Sequence, residues 1–308
     1  MTRVLVLLAA CNGERWIEEQ VESILAQRGV EVNLLIGDDV SRDASRDLLA
    51  ARWGADPRIQ VLAWPTPSGS AGANFLRLMR HADACGFDAV ALADQDDVWL
   101  PGKLAAGMAK LGESDDVCAC SAAVEAFWDD GRTSVLAQDP RTRRADFLFE
   151  GAGQGCTFVL SLSFFARVQF FLASPQGATV DMHFHDWMLY VLCRAWGGRW
   201  VFDPRPQMRY RQHGGNDIGA RSGLGAFSRR LGKIRDGWYA AQVAKACRVY
   251  AAAGGDDPGV LVLARQLAEG PARGSLAALG LAGRLWRAGR RRTVDRVVLV
   301  YAALAGWL

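Results

Sequence analysis

The amino-terminal part of the chain alternates between continuous apolar runs and segments whose apolar residues recur at helical spacing. The apolar runs predict strands at Val4–Ala10, Val32–Ile36, Ile59–Ala63 and Ala89–Ala93, and the first, which is continuously apolar, is expected to be buried on both faces of a parallel sheet. The helical spacing predicts helices at 15–27, Ser45–Trp53 and Phe75–Ala84. Strands that alternate with helices in this order predict an α/β fold with a mostly parallel central sheet.

The pattern changes after about residue 215, where Gly, Ala, Leu and Arg dominate. Helical spacing there predicts helices within 224–253, 258–268 and 275–305. Residues 221–308 carry 15 Lys and Arg against 5 Asp and Glu, a net charge of +10. Residues 1–220 hold the other 21 basic and 28 acidic side chains, a net charge of −7. We therefore predict an α/β domain at 1–217 and a helical, basic and apolar region at 218–308.

Composition narrows the class of protein. Half of the 308 residues are hydrophobic and the net charge is only +3, so the chain is globular and nothing global indicates a nucleic-acid partner. The seven cysteines are odd in number and include no C-x-x-C pair, which favours a reducing, cytoplasmic location without structural zinc. The apolar runs at Val4–Ala10 and Val297–Leu308 are both shorter than the roughly 20 residues of a membrane span.

Carboxylates follow two of the predicted strands directly. Asp38 and Asp39 end the second strand, and Asp94, Asp96 and Asp97 follow the fourth. Ligands of parallel sheets bind beyond the carboxyl ends of the strands, so we expect both clusters at one sheet edge. If the segment is extended, Asp94 and Asp96 point the same way and form an oxygen site for Mg²⁺ or Mn²⁺. The alternatives are a solvated acidic turn at Asp94–Asp97 and helix capping by Asp38, Asp39 or Ser41.

Five stretches together resemble the family 2 glycosyltransferases of the GT-A fold, in particular the bacterial rhamnosyltransferase-like members. Their order and spacing match over roughly residues 3–217. The stretches are LLAACNGERWIEEQVESILAQ, IGDDVSRDAS, ADQDDVWLPGKL, HDWMLYVLCRAWG and YRQHGGN.

The resemblance implies roles for individual residues. It implies that Asp39, with Asp38 beside it, contacts the base of a nucleotide-sugar. It also implies that Asp94 and Asp96 hold the divalent ion, and that Asp186 is the general base that deprotonates the acceptor hydroxyl. A sugar hydroxyl is a poor nucleophile until its proton is removed, which is the chemical need for such a base. Without the resemblance, an N-cap is the favoured interpretation of Asp186, and Asp181 is a weaker candidate for the base.

Further residues are placed at the donor by the same resemblance. His213 completes the metal shell or touches the diphosphate, while Arg209 and Arg211 neutralise phosphate charge. Gly155, Cys156 and Thr157 line the pocket near donor and acceptor, and Cys156 has no nearby histidine in sequence that would activate its thiol. Two positions depart from the family: Cys11 replaces an aromatic residue, and Val40 replaces a Gly or Asn, which predicts a differently shaped turn.

The expected function is an inverting, metal-dependent glycosyltransferase that moves L-rhamnose from dTDP-rhamnose to a saccharide or lipid-linked acceptor of a surface polysaccharide. A UDP-hexose donor is the nearest alternative. A glycoside hydrolase would also use two carboxylates but would need neither metal nor nucleotide. A non-catalytic, membrane-associated subunit with the same fold is the remaining alternative.

The basic C-terminal region predicts a peripheral contact with an anionic membrane at the inner face of the plasma membrane. Its sequence RLWRAGRRRTVDRVVLVYAALAGWL places an arginine cluster before an apolar stretch, as in helices that lie in the headgroup region. The alternative is that these helices pack on the catalytic domain or on a second subunit, as in a homodimer.

Overall fold

The computed structural model describes residues 1–214, 232, 234–270 and 275–308. Within them the strands are β1 (Arg3–Ala10), β2 (Glu31–Asp38), β3 (Ile59–Ala63), β4 (Ala89–Asp94), β5 (Val98–Trp99), β6 (Val117–Trp128), β7 (Thr133–Leu136), β8 (Val159–Ser161) and β9 (Arg199–Gln212). The helices of the first 200 residues are α1 (Ile17–Leu25), α2 (Ser45–Trp53), α3 (Ala71–His81), α4 (Lys103–Leu111), α5 (Leu162–Ala173), α6 (Pro175–Ala178) and α7 (His185–Ala195). Four more follow: α8 (Trp238–Ala252), α9 (Pro258–Glu269), α10 (Leu276–Ala288) and α11 (Thr293–Leu304).

The strands form one mixed sheet in the order β3-β2-β1-β4-β8-β6-β9-β5, with β7 paired to β6. The neighbours β3, β2, β1 and β4 are parallel, and so are β6 and β9. Strand β8 is antiparallel to both β4 and β6, and β5 is antiparallel to β9. The predicted α/β fold with a mostly parallel sheet and C-terminal helices is confirmed.

Strands β1, β2 and β4 are buried on both faces of the sheet, whereas the edge strand β3 is mostly exposed. Along β1, Leu5 and Leu7 join one core cluster, whereas Val4 and Val6 join the other. Helices α1, α2 and α4 cover the second cluster. Helices α3, α5 and α7 cover the first, together with α8 to α11, so the C-terminal helices add to the core of the α/β domain.

Some element boundaries differ from the sequence expectation. Helix α3 begins at Ala71, four residues before Phe75, because the Ser70 hydroxyl accepts a hydrogen bond from the Ala73 amide and caps the helix. The predicted helix at 275–305 is two helices, since Gly289 ends α10 and α11 begins at Thr293. The boundary predicted at residue 217 and the first part of the helix predicted at 224–253 lie outside the described residues.

Candidate active site

Both acidic clusters lie at one edge of the sheet, on either side of β1. The parallel register places Asp38 beside Ala10 and Asp94 beside Ala9. The expectation that the two clusters share one sheet edge is therefore confirmed, and the reason is the parallel order of β2, β1 and β4.

The adjacent carboxylates Asp38 and Asp39 have different surroundings. Asp39 accepts hydrogen bonds from the Ser68 amide (2.6 Å) and hydroxyl (2.7 Å), so it holds the loop that follows β3. Asp38 is fully buried, accepts from the Ser41 amide at 3.3 Å, and lies 3.7 Å from the Arg46 guanidinium. Its Oδ1 atom is buried without a hydrogen-bond partner among the described residues. Asp38 therefore keeps an acceptor atom that a ligand N–H would satisfy.

Neither Asp38, Asp39 nor Ser41 caps helix α2. The Asp43 carboxylate accepts from the Ser45 amide (3.0 Å) and from the Glu14 amide (3.0 Å), and the Glu14 side chain accepts from the Ala44 amide. The helix start is thus tied to the loop after β1 by Asp43 and Glu14. The capping alternative for Asp38 and Asp39 is wrong.

Val40 directly follows Asp38 and Asp39 in the loop after β2, and its φ angle is +59°, in the left-handed region. A branched side chain is strained in this region, whereas Gly and Asn adopt it readily. Val40 therefore adopts a backbone conformation for which Gly or Asn is better suited, and a difference in shape from the turn of the family stays a prediction.

The geometry of the acidic turn also differs from the expectation. Strand β4 ends at Asp94 and β5 begins at Val98, so the chain bends at Gln95 and Asp96 and strict alternation of side chains fails. The ligand atoms of Asp94, Asp97 and Cys156 lie within 4.8 Å of one another. Asp97, which the D-x-D spacing did not include, thus lies close enough to Asp94 for both carboxylates to contact one ion.

Asp97 lies under the turn and is almost completely buried. Its Oδ1 atom accepts from the Arg211 amide at 3.1 Å, while Oδ2 has no hydrogen-bond partner among the described residues. Burial, and then the nearby Asp96 and Asp94 carboxylates, raise the pKa of Asp97 well above its usual range. Such crowding of carboxylates needs a compensating positive charge.

A buried lysine supplies one positive charge below the turn. Lys103 begins α4, and its ammonium group lies 3.5 Å from the centroid of the Trp99 ring. No hydrogen-bond acceptor contacts its Nζ atom among the described residues. Burial lowers the pKa of Lys103 to about 8, while the Asp97 charge acts in the opposite direction. Sequence analysis missed this lysine, although it lies in the stretch WLPGKL.

Asp96 points to the other side of the turn, toward the end of β9. Its Oδ2 atom is 2.7 Å from Nε2 of His213, and the imidazole ring stacks on Trp16 with centroids 4.2 Å apart. The structure therefore brings Asp96 and His213 together, although 117 residues separate them in sequence. Trp16, at the start of α1, fixes the ring from the other side.

Two side chains brace the backbone of the acidic turn. The Arg211 guanidinium donates to the Asp96 carbonyl at 2.9 Å and forms an ion pair with Glu19. The Gln95 amide group donates to the Cys11 carbonyl at 2.9 Å and accepts from the Cys11 amide at 2.7 Å. These bonds tie the turn to the loop after β1.

The two arginines predicted at phosphate lie in different settings. Arg209 is 3.5 Å from Glu125 and lies over the Phe127 ring. Arg211 is largely buried and contacts Asp96 and Glu19 as described above. Both are next to the acidic turn. The contact of Arg211 with the Asp96 carbonyl braces the turn, whereas the contacts of the Arg209 side chain are with β6, and contact of either arginine with phosphate stays a prediction.

The segment Gly155–Thr157 forms a buried single turn of 3₁₀ helix against the start of α7. A Cβ atom at Gly155 would lie 3.3 Å from Cβ of Asp186 and 2.6 Å from Nε2 of His185. Glycine is therefore required for this close approach. The Thr157 hydroxyl donates to the Gln154 carbonyl at 2.7 Å, so it stabilises the turn. Burial raises the pKa of Cys156 well above its usual range, which keeps the thiol protonated.

Asp186 lies in the first turn of α7 and is partly buried. It does not cap the helix, because the N-cap position is Phe184; its Oδ1 atom accepts from the Trp187 amide at 2.7 Å. Burial raises the pKa of Asp186 to about 6, which suits a group that takes up a proton near neutral pH. Burial lowers the pKa of the adjacent His185 to about 3, so that ring is neutral. It stacks on Phe75 with centroids 4.0 Å apart.

A cleft of about 490 Å³ lies beside the start of α7. Its walls are Ser70 at the start of α3, the segment 180–183, and the α8 residues Trp238, Gln242 and Lys245. Lys245 is 2.9 Å from the Asp181 carboxylate, which places Asp181 in the wall of this cleft and away from the acidic turn. Gln242 is 5% exposed, and its Oε1 atom has no hydrogen-bond partner among the described residues.

Comparison with known proteins assigns this sheet and its carboxylate edge to the class of glycosyltransferases. The profile of Glycosyl transferase family 2 matches residues 5–167, more than half of the chain. The chain is 32% identical over 294 residues to the dTDP-rhamnosyl transferase RfbG of Shigella flexneri, covering 95% of this chain and 97% of that protein. The chain therefore belongs to glycosyltransferase family 2 and is rhamnosyltransferase-like.

Solved structures support the fold at lower identity. The structure of Staphylococcus aureus TarS residues 1–349 with UDP-GlcNAc aligns with a TM-score of 0.58 and 14% identity, covering 100% of this chain and 89% of that chain. The mannosyltransferase PcManGT of Pyrobaculum calidifontis, with GDP-Man and Mn²⁺, aligns with a TM-score of 0.50 and 16% identity, covering 99% and 85%. These similarities concern the fold of this chain.

Proposed function

We propose that the protein is an inverting, metal-dependent glycosyltransferase that transfers L-rhamnose from dTDP-rhamnose to an acceptor hydroxyl in surface polysaccharide biosynthesis. The observation that carries this proposal is the arrangement of Asp186 beside Gly155, with the acidic turn at the adjacent sheet edge. The choice of donor rests on the similarity to the dTDP-rhamnosyl transferase RfbG over nearly the whole chain.

The donor is placed along the sheet edge by its chemistry. A thymine or uracil ring carries an N–H donor, which the buried and unpartnered Oδ1 atom of Asp38 would accept. Asp39 contributes by holding the loop after β3 through Ser68. The diphosphate then lies at the acidic turn, and the sugar lies near Gly155–Thr157, in front of Asp186.

The acidic turn fits a hard divalent cation such as Mg²⁺ or Mn²⁺. Asp94 and Asp97 offer carboxylate oxygens within 4.8 Å, and Oδ2 of Asp97 is a buried acceptor without a partner among the described residues. Asp96 and His213 lie on the open side of the turn as further ligands. The Cys156 sulfur is too soft a ligand for these ions and stays a wall of the site. When bound, the cation would supply positive charge that stabilises the leaving diphosphate.

Asp186 acts as the general base in this proposal. Its carboxylate removes the proton of the acceptor hydroxyl, while the neutral His185 and Gly155 hold the carboxylate in place by packing. The acceptor, a saccharide or a lipid-linked saccharide, enters through the cleft between α3 and α8. Attack from the side of the sugar opposite the diphosphate inverts the anomeric carbon.

A panel of nucleotide-sugars tests the donor and the metal together. A ligand that binds only the native state raises the unfolding temperature, so dTDP-rhamnose should protect the protein when Mg²⁺ or Mn²⁺ is present. UDP-hexoses, the nearest alternative, are the matched comparison, and a chelator is the metal control. Stronger protection by a UDP-hexose would replace the donor in this proposal. Metal-independent protection would contradict the role of the acidic turn.

The remaining alternatives are separated by turnover. A glycoside hydrolase would cleave a saccharide without any nucleotide, and a non-catalytic subunit would bind the donor without product. Proton NMR of the purified product would give the anomeric configuration, and retention would contradict the single displacement. All seven cysteines are free thiols in the structure, which fits our proposal that the enzyme works in the cytoplasm.

A further inference from the structure

Helices α10 and α11 pack against each other and are joined by the four residues 289–292; we call this pair the C-terminal hairpin. No helix among the described residues is long and apolar enough to cross a membrane. Each helix of the hairpin buries one face in the core cluster of the α/β domain, through Leu281 and Leu285 on α10 and through Leu299 and Ala303 on α11. The opposite faces of both helices therefore look away from the domain.

Part of the arginine cluster fixes the hairpin to the domain. Arg291 is 2% exposed, donates to the Gly151 carbonyl at 2.7 Å, and lies 3.4 Å from Glu150 and 3.8 Å from Asp146. Arg290 is 3.5 Å from Glu150. Arg290 and Arg291 are therefore used inside the protein, and a membrane contact would have to rely on the other arginines of the cluster.

The outer face of the hairpin carries an apolar stripe. Its large side chains are between 47% and 86% exposed, which is unusual for residues of this size. They recur at helical spacing, so each helix presents them along one side. The stripe consists of Leu276, Leu279 and Trp286 on α10, and Val294, Val297 and Tyr301 on α11.

The charged residues of the hairpin itself are almost all positive. Arg284, Arg287 and Arg292 are exposed on the hairpin. The only acidic residue within 275–308 is Asp295, which lies 4.0 Å from Arg290. A partner for this face must therefore offer negative charge above an apolar layer.

We propose that the outer face of the C-terminal hairpin docks on the headgroup region of an anionic phospholipid bilayer. Apolar and aromatic side chains enter the boundary between headgroups and acyl chains, while the arginines contact lipid phosphates. A second copy of the chain fits less well, since a symmetric contact would bring the same arginines against one another. The proposal does not depend on which donor the enzyme uses.

Docking at this face also fixes the active site relative to the membrane. Arg291 in the hairpin loop holds the Gly151 carbonyl, and four residues later Gly155 packs against Asp186. The segment that positions the catalytic carboxylate is thus attached to the element that contacts lipid.

Sedimentation with vesicles tests the proposal on the full-length protein. Vesicles of equimolar phosphatidylglycerol and phosphatidylcholine are compared with phosphatidylcholine alone, at low salt and at about 1 M salt, where charges are screened beyond about 3 Å. Binding is expected only to the anionic vesicles, and it should weaken strongly at high salt. A basic residue near the surface contributes about fivefold, so Arg284→Gln with Arg287→Gln should weaken binding about 25-fold.

Matched pairs of variants identify the face. Leu279→Ser with Val297→Ser should reduce binding at least tenfold, because two exposed apolar side chains no longer enter the lipid. Phe170→Ser with Val135→Ser removes comparably exposed apolar side chains elsewhere and should leave binding unchanged. Arg132→Gln with Arg199→Gln is the control for charge. Unfolding temperature and donor protection check that every variant keeps its fold and donor site.

Three results would overturn the proposal. One is equal binding to neutral and anionic vesicles, and another is absence of binding to both. The third is a self-associating wild-type protein that the Leu279 and Val297 substitutions convert to a monomer, which would make the stripe an interface between copies. Donor protection is measured separately, so a failure here leaves the proposed enzymatic function standing.

Discussion

Replacing Asp186 by Asn is expected to abolish most turnover and, at the same time, to stabilise the folded protein at neutral pH. The substitution keeps the size of the side chain and the oxygen that accepts the Trp187 amide at 2.7 Å. It removes the negative charge, which burial makes unfavourable in the native state. Activity and stability should therefore change in opposite directions, as expected when a functional group is kept in an unfavourable environment.

The magnitude follows from the pKa of Asp186, which burial raises from 3.8 to about 6. That difference corresponds to about 3 kcal/mol of free energy for ionising the group in the native state. Asp186 lies in the first turn of α7, where the helix dipole favours a negative charge by about 0.5 kcal/mol, so the net gain for Asn is about 2.5 kcal/mol.

The sign of the pH dependence is fixed by the same difference. Between pH 3.8 and about 6 the native state holds a proton that the unfolded state has lost, so wild-type stability falls as pH rises through this window. Above about 6 the full cost of ionisation is present, and below 3.8 it is absent. The stability gain of Asp186→Asn should therefore be largest at pH 7 and should disappear near pH 3.8.

Denaturant unfolding at several pH values measures the stability difference, and transfer kinetics measure the activity. Loss of the general base is expected to reduce turnover by about 10²–10⁴-fold, while donor protection survives. In the wild type, turnover should rise with pH through about 6, and the variant should lack this limb. The matched control is Asp115→Asn, an exposed carboxylate whose loss should change neither property.

Two results would refute this reasoning. A variant that is less stable than the wild type at pH 7 would show that the Asp186 charge is stabilised in the native state. A variant that loses donor affinity but keeps its turnover at saturation would make Asp186 a binding residue.

Three other substitutions test separate parts of the structure. Asp96→Ala should remove metal-dependent donor protection and sugar transfer without unfolding the protein, because Asp96 lies on the open side of the turn. Near-normal transfer by the wild type in the presence of a chelator would contradict the metal role of Asp96. Val40→Asn should raise the free energy of unfolding by about 1 kcal/mol in denaturant titrations, since Asn tolerates the φ angle of +59° better than Val does. A lower free energy of unfolding would show that the packing of the Val40 side chain outweighs its backbone strain. Arg291→Met should lower the free energy of unfolding by about 3 kcal/mol, which is the lower end for breaking a buried ion pair. The loss stays at the lower end because Asp146 still pairs with Arg194 and Glu150 still pairs with Arg290. An unchanged free energy of unfolding would mean that these contacts do not hold the hairpin.

The sequence by itself determined the fold class and the edge of the sheet that carries the chemistry. Strands β1, β2 and β4 are recognisable because a strand buried on both faces must be apolar at consecutive positions. Parallel strands expose their carboxyl ends at one edge, so the positions of Asp38 and Asp94 at the ends of β2 and β4 already imply that they lie close together.

Only the tertiary structure decided which side chains of the acidic turn lie close together. The D-x-D spacing pairs Asp94 with Asp96 on an extended chain, but the chain bends after β4, and carboxylate oxygens of Asp94 and Asp97 lie within 4.8 Å of each other. The contact between Asp96 and His213 depends on how β9 passes the turn, which no local pattern contains.

The tertiary structure also decided the surroundings of the functional groups. The approach of Gly155 to Asp186 and the burial of Arg291 against Asp146 join segments that are far apart in the chain. The sequence pattern of a segment predicts whether it forms a helix or a strand, because that choice depends mainly on side chains that are neighbours in the chain. Burial, and with it the pKa of Asp186 and the availability of an arginine, depends on what the rest of the chain packs against that element.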